Sequence, residues 1–94
     1  MAKLSIVTTK RFRKNFKKVA QSKTFDRNVF EFVIDRLVSG EKLESNFRVH
    51  RLTGDLSDYR ECHLKPDILL IYFIDKGDLI LVLVNIGSHS ELFK

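Results

Sequence analysis

Residues 59–87, YRECHLKPDILLIYFIDKGDLILVLVNIG, decide the fold. Ile68 to Ile74 is an unbroken apolar run, far too short for a membrane span and rich in β-branched and aromatic residues. Such a run, bounded by turn residues, reads as a strand buried on both faces. Lys65-Pro66-Asp67 is the turn before it, because proline presets its own dihedral and cannot donate to a ladder. Asp75-Lys76-Gly77-Asp78 is the hairpin loop after it. Tyr59 to Leu64 and Leu79 to Val84 are then the flanking strands, with Gly87 breaking the last one. The stretch is an antiparallel meander.

Working outward, Leu4 to Thr8 is a short first strand. Thr8 or Thr9 can cap a helix over about residues 10 to 21, where Phe12, Phe16, Val19 and Ala20 recur at helical spacing. Asp26 caps a second helix with Val29, Phe30, Val33, Ile34, Leu37 and Val38 on its apolar face, ended by Gly40. The short connection predicts that the two helices lie antiparallel. Residues 41–58 are polar and read as a long loop, with a brief extended part near Phe47 to Leu52. Ser88 to Phe93 form a short tail, one helical turn capped by Ser88. The order is β-α-α-β-β-β: an α+β fold with two antiparallel helices packed on a mainly antiparallel four-stranded sheet and a short C-terminal tail. At 94 residues the chain supports one core, so residues 1–94 read as a single domain. Two helices cover one sheet face. The other is left to the 41–58 loop, the tail or a partner chain, and is read as a docking face.

The single cysteine, Cys62, allows no internal disulfide, and its strand position opposite to His63 makes it a packed thiol. No stretch has the length of a signal peptide or a membrane span, which predicts a cytoplasmic protein without a membrane partner. The net charge of +5 is uneven. Lys3, Lys10, Arg11, Arg13, Lys14, Lys17, Lys18 and Lys23 fall within the first 25 residues, which hold no acid. That asymmetry predicts an anionic partner, a nucleic acid or an acidic protein segment, although a lysine-rich helix can also be a solvated face.

His50, His63, Asp67 and His89 are the residues able to move protons. His63 and Asp67 straddle one tight turn. The end of the last strand should lie near the start of its antiparallel neighbour, which brings His89 to the same end of the sheet. Cutting RNA without a metal needs a base for the 2′-hydroxyl, a cation at the phosphorane-like transition state and an acid for the leaving 5′-oxygen. Histidines, an aspartate and nearby arginines such as Arg51 and Arg60 meet that list. Each has a plainer reading: a surface histidine, a turn aspartate, an arginine paired with a carboxylate. Zinc ligation is the other chemistry open to such a set. However, the gaps between His50, His63 and His89 match no short ligand signature, and no CxxC or HxxxH is present. No metal site and no cofactor are therefore read. Phe93 is either a core plug or a platform on which a base stacks.

These residues resemble a known pattern. His50-x-Leu52-x-Gly54, Tyr59-Arg60-x-x-His63-x-x-Pro66-Asp67, Leu70-x-Tyr72 and Gly87-x-His89-x-x-x-Phe93 look like the YafQ branch of the RelE superfamily of bacterial toxins. The resemblance spans the chain in length and element order and is specific in the C-terminal half. It implies a type II toxin: a metal-independent endoribonuclease that cuts mRNA in the ribosomal A site, leaving a 2′,3′-cyclic phosphate and a 5′-hydroxyl. It also implies a cognate antitoxin of the DinJ or RelB kind. Carried over, the catalytic positions are His50, His63, Asp67 and His89, with Phe93 contributing. His89 is then the general acid, Asp67 or His50 the base, and His63 steadies the phosphate. Where YafQ-like chains carry Asp-His-Pro, this one has Val49-His50-Arg51, so an aspartate that could orient the ring is absent. Arg51, Arg60 and the helix cations Lys10, Arg11, Arg13, Lys14, Lys17 and Lys18 are the expected RNA contacts. Two rivals keep the fold without the catalysis: a ParE-like toxin that inhibits a topoisomerase, and a non-catalytic nucleic-acid-binding module.

Overall fold

In the computed structural model, which describes residues 3–52 and 58–92, the meander forms as read. The elements are β1 (Ser5–Thr8), α1 (Lys10–Ala20), α2 (Arg27–Val38), β2 (His50–Arg51), β3 (Arg60–Lys65), β4 (Ile68–Asp75), β5 (Ile80–Gly87) and α3 (His89–Leu92). They build one sheet in the order β1-β5-β4-β3-β2. β1 runs parallel to β5, and every other pairing is antiparallel. The sheet has five strands because the brief extended part of the 41–58 segment pairs with β3, His50 opposite Glu61 and Arg51 opposite Arg60. No helix among the described residues is long and apolar enough to cross a membrane.

The helices start where side chains can satisfy free amides. Thr9 Oγ1 accepts from Phe12 N at 3.0 Å, and Asp26 Oδ1 accepts from Asn28 N at 2.9 Å. Thr9 also donates from the same hydroxyl to Val84 O at 2.6 Å, which pins the start of α1 to β5. A run of phenylalanines joins the helices. Phe16 meets Phe25 and Phe30, while Phe12, one turn earlier, reaches Phe30. Phe30 of α2 thus meets two successive turns of α1, and Phe25, from the connection between the helices, closes the cluster.

The core lies between these helices and one sheet face. Phe12, Val19, Val33, Ile34 and Leu37 pack on Cys62, Leu64, Leu70, Tyr72, Leu81, Leu83 and Ile86. The residues of β4 with odd numbers, Leu69 and Ile71, belong to the other face, yet are only 1% and 7% exposed. β4 is thus buried on both sides along its first half, as a continuous apolar strand requires.

β5 runs on to Gly87, beyond the Val84 limit read from the sequence. The register shifts between Ile71 and Tyr72, so that Tyr72 faces Leu83 while Ile71 faces Asn85. This bulge absorbs one residue and lets the polar Asn85 stay in the ladder. Its side chain accepts from Asn15 Nδ2 of α1 at 2.7 Å. At the strand's end, a Cβ on Gly87 would lie 3.1 Å from Glu91 Oε1 and 3.5 Å from Leu92 Cδ2. Glycine lets the α3 turn fold down onto the strand.

Cys62 is fully buried on the helix side, and burial, followed by the nearby Glu61 carboxylate, pushes its thiol up to about 12. It should resist thiol reagents at pH 8 in the native protein and react at once in denaturant; native-state labelling at the denatured rate would contradict this packing. Leu70→Ala, which empties a site with no exposed surface, should cost about 2–5 kcal/mol of unfolding free energy in urea titrations.

Candidate active site

The site is built on the helix-free face of β3. In a strand, successive side chains point to opposite faces, so Glu61 and His63 share one face and Arg60, Cys62 and Leu64 share the other. β2 adds His50 directly opposite Glu61. His63 is opposite Leu69, and Leu69 is opposite Gly87, so a row crosses the sheet from His63 to the foot of α3. Leu69 and Ile71 are the apolar floor between them.

Geometry follows from that register. His50 Nε2 lies 2.6 Å from Glu61 Oε1, and the His50 and His63 ring centres are 6.4 Å apart. The side chain of Glu61 is 7% exposed and that of His50 is 55% exposed. A carboxylate set into the sheet thus holds an imidazole that faces solvent. Among the described residues, Glu61 Oε2 and His63 Nδ1 are buried without a hydrogen-bond partner. One ligand atom from each of His50, Glu61 and His63 falls within 4.8 Å of the other two. Sequence spacing argued against a ligand set because strand pairing, which brings these residues together, is invisible to it. A cavity of about 230 Å³ opens beside His63, walled by Asn46, Phe47, Arg48, Lys65 and Pro66.

The remaining expected residues divide. Asp67 is exposed on the β3–β4 turn, at the same end of the sheet as His63. His89 opens α3, two residues beyond Gly87, and is exposed. α3 is fixed by a reciprocal cap: Glu91 N donates to Ser88 Oγ at 3.3 Å, and Ser88 N donates to Glu91 Oε1 at 2.9 Å. The Ser88 amide, then the Ser88 hydroxyl, holds the Glu91 carboxyl below its ordinary value, with Lys18 adding to this at 3.7 Å. That contact ties the α3 turn to the basic helix. Phe93 lies outside the described residues.

Arg51 and Arg60 are not with the histidines. The alternation that puts His50 and Glu61 on one face sends these two to the other, opposite each other and next to Tyr72. There they line a groove of about 690 Å³ with Leu4, Leu37, Val49 and Ile74. Lys10, Arg11, Arg13, Lys14, Lys17 and Lys18 stand exposed on α1. Arg13 turns back to donate to Thr8 O at 2.7 Å.

Glu61 is the site residue that the sequence reading missed. It stands two residues before His63, the spacing that puts two strand side chains on one face, and that was the signal available. It also answers the departure at Val49. The carboxylate absent from the neighbourhood of His50 in sequence is supplied across the sheet.

A mixed five-stranded sheet under two helices is the fold of the small RelE-like toxins. A family profile described as bacterial toxin of type II toxin-antitoxin system, YafQ, matches residues 4–94, and the chain belongs to that family. The mRNA interferase toxin YafQ of Escherichia coli strain K12 is 31% identical over 77 residues, 81% of this chain and 82% of its own length. The crystal structure of a metal-bound toxin from Helicobacter pylori superposes with a TM-score of 0.87 at 44% identity, covering 96% of this chain and 99% of that one. The Escherichia coli DinJ-YafQ complex gives a TM-score of 0.82 at 28% identity, covering 97% of this chain and 99% of that one.

The contact between the buried Glu61 carboxylate and His50 contributes to stability. Glu61→Gln, which keeps the shape, removes the charge and buries an amide donor in its place, should lower the unfolding free energy at pH 7 by about 1 kcal/mol. Urea titration measures it, and an unchanged or higher value would show that the contact adds nothing to stability.

Proposed function

We propose that this chain is the ribonuclease of a type II toxin–antitoxin pair and cuts mRNA by acid–base transfer between its own side chains. The observation that carries this reading is the His50–Glu61 pair, an exposed ring held at 2.6 Å by a buried carboxylate. Burial keeps Glu61 away from substrate, while exposure lets His50 reach it. In this mechanism Glu61 positions the ring, and His50 takes the proton from the 2′-hydroxyl. The freed 2′-oxygen attacks the phosphorus. His63 steadies the charge that gathers on the phosphoryl oxygens. His89, carried on the capped α3 turn, protonates the departing 5′-oxygen, leaving a 2′,3′-cyclic phosphate and a 5′-hydroxyl. Asp67 orients the ribose from the turn, and Phe93 stacks on a base. None of these steps uses a metal ion.

The exposed cations of α1 fit a long polyanion, and we assign them to ribosomal RNA, with cleavage in the A site of the cytoplasmic ribosome. The relative bound to DinJ indicates the other partner, an antitoxin of the DinJ or RelB kind. The groove lined by Arg51 and Arg60, on the face away from His50, suits an acidic segment with apolar side chains. A ParE-like topoisomerase inhibitor would have no use for a carboxylate buried against a histidine.

Induced in bacteria, the wild type should produce new 5′ ends within translated mRNA. His89→Ala and His50→Gln should each slow cleavage by about 10²- to 10⁴-fold. Growth arrest without new cuts would overturn the nuclease reading. Undiminished cutting by His50→Gln would remove that residue from the role of base and leave the nuclease reading intact.

A further inference from the structure

We infer that Tyr59 and Phe73 form a stacking platform for the nucleotide base on the 5′ side of the cut, and so position the RNA chain against the His50–Glu61 pair. The inference rests on the proposed nuclease function and deepens it.

Strand alternation puts both rings on the face that carries the histidines. Tyr59 stands two residues before Glu61, and Phe73 two residues beyond Ile71. The register that sets Arg60 opposite Tyr72 sets Tyr59 opposite Phe73. Their ring centres are 5.5 Å apart, and their planes are 19° from parallel. Leu52 N donates to Tyr59 O at 3.0 Å, one step beyond the pairing of β2 with β3. That bond fixes Tyr59 against the strand that carries His50.

The pair does little for the core. Among the described residues, Ile74 packs against the core cluster, whereas its neighbour Phe73 and Tyr59 do not. Each of the two keeps part of its surface in solvent. Two half-exposed rings held nearly parallel offer a flat, preorganised apolar surface. Bases splayed from a single strand stack on surfaces of that kind. A cavity of about 500 Å³ opens at the rings, walled also by Asp58, Ile74, Asp75 and Lys76. That volume falls within the range of about 300–1,000 Å³ typical of ligand sites. The charges on its wall orient the occupant. Asp58 and Asp75 repel a phosphate, so the base enters between them, and Lys76 is the cation left for the sugar-phosphate chain.

Position along β3 gives the direction. Tyr59, Glu61 and His63 follow one another at steps of roughly 7 Å, and His50 stands opposite Glu61. The turn that carries His89 begins at the His63 end, where Leu69 pairs with both His63 and Gly87. In the proposed mechanism His50 serves the 2′-hydroxyl of the nucleotide before the cut, and His89 serves the 5′-oxygen of the nucleotide after it. The platform lies beyond Glu61 as seen from the His63 end, and therefore on the 5′ side.

The test is single-turnover cleavage by the full chain of mRNA held on purified ribosomes, at a position that the wild type cuts. Tyr59→Leu and Phe73→Leu should each slow cleavage by about 5- to 150-fold, the loss expected for one stacked base. Tyr59→Phe and Phe73→Tyr, which keep a ring, should recover most of that loss. A structural role could produce the same order of rates, so the substrate is changed as well. An abasic nucleotide on the 5′ side of the cut should slow the wild type by a similar factor and slow Phe73→Leu little further. An abasic nucleotide on the 3′ side should slow both by the same factor. Melting curves confirm that each variant is folded, and substitutions on two different strands guard against one that is not. Undiminished cutting by both leucine variants overturns the platform and leaves the nuclease reading intact. So does a leucine variant that loses as much as the wild type when the 5′ base is removed. A wild type that never cuts overturns the nuclease reading and, with it, the platform's part in the reaction.

Discussion

β4 cannot be left open on either face. Its apolar side chains point alternately to both, and water on either side would undo the gain from burying the other. α1 and α2 cover one face with the largest part of the core. On the other, Leu69 and Ile71 are closed off although no long helix lies there. That second, thinner cover is where polar groups can sit against an apolar floor. The constraint that makes β4 a good strand thus also creates a half-dry surface on which a carboxylate can be buried beside histidines.

Alternation then divides the labour of β2 and β3. One face of this pair carries His50, Glu61 and His63; the other carries Arg51, Arg60 and the core-facing Cys62 and Leu64. The histidine–carboxylate cluster and the arginine-lined groove are back to back on two strands. A slip of one residue in the pairing would exchange every one of these positions, so the register is as important to the site as the residues themselves.

The sequence made the fold legible because its signals were local. The Ile68 to Ile74 run, the Pro66 turn, the Thr9 and Asp26 caps and the Ser88 cap each announce themselves within a few residues. What was not legible depends on pairing between distant segments. β2 is two residues long and strand-like only because β3 lies beside it. Arg51 and Arg60 looked like companions of the histidines by proximity in sequence, while the strand period sends them to the opposite face. Glu61 stood in the quoted stretch among residues that all drew attention for other reasons. That the β3–β4 turn and the end of β5 fall at one end of the sheet did follow from the meander, since Leu69 pairs with both His63 and Gly87.

The parallel pairing of β1 with β5 has a consequence for folding. Ser5 finds its strand partner in Ile80, and the start of α1 is anchored to Leu83 and Val84. β1 therefore waits for β5, about 70 residues later in the chain, before it can join the sheet. Contacts of such sequence separation form late and slowly. Until β5 is in place the chain has neither a closed core nor a strand end from which the α3 turn can present His89. The closed sheet, and with it the face that holds His50 against Glu61, comes into being only once β5 has reached β1.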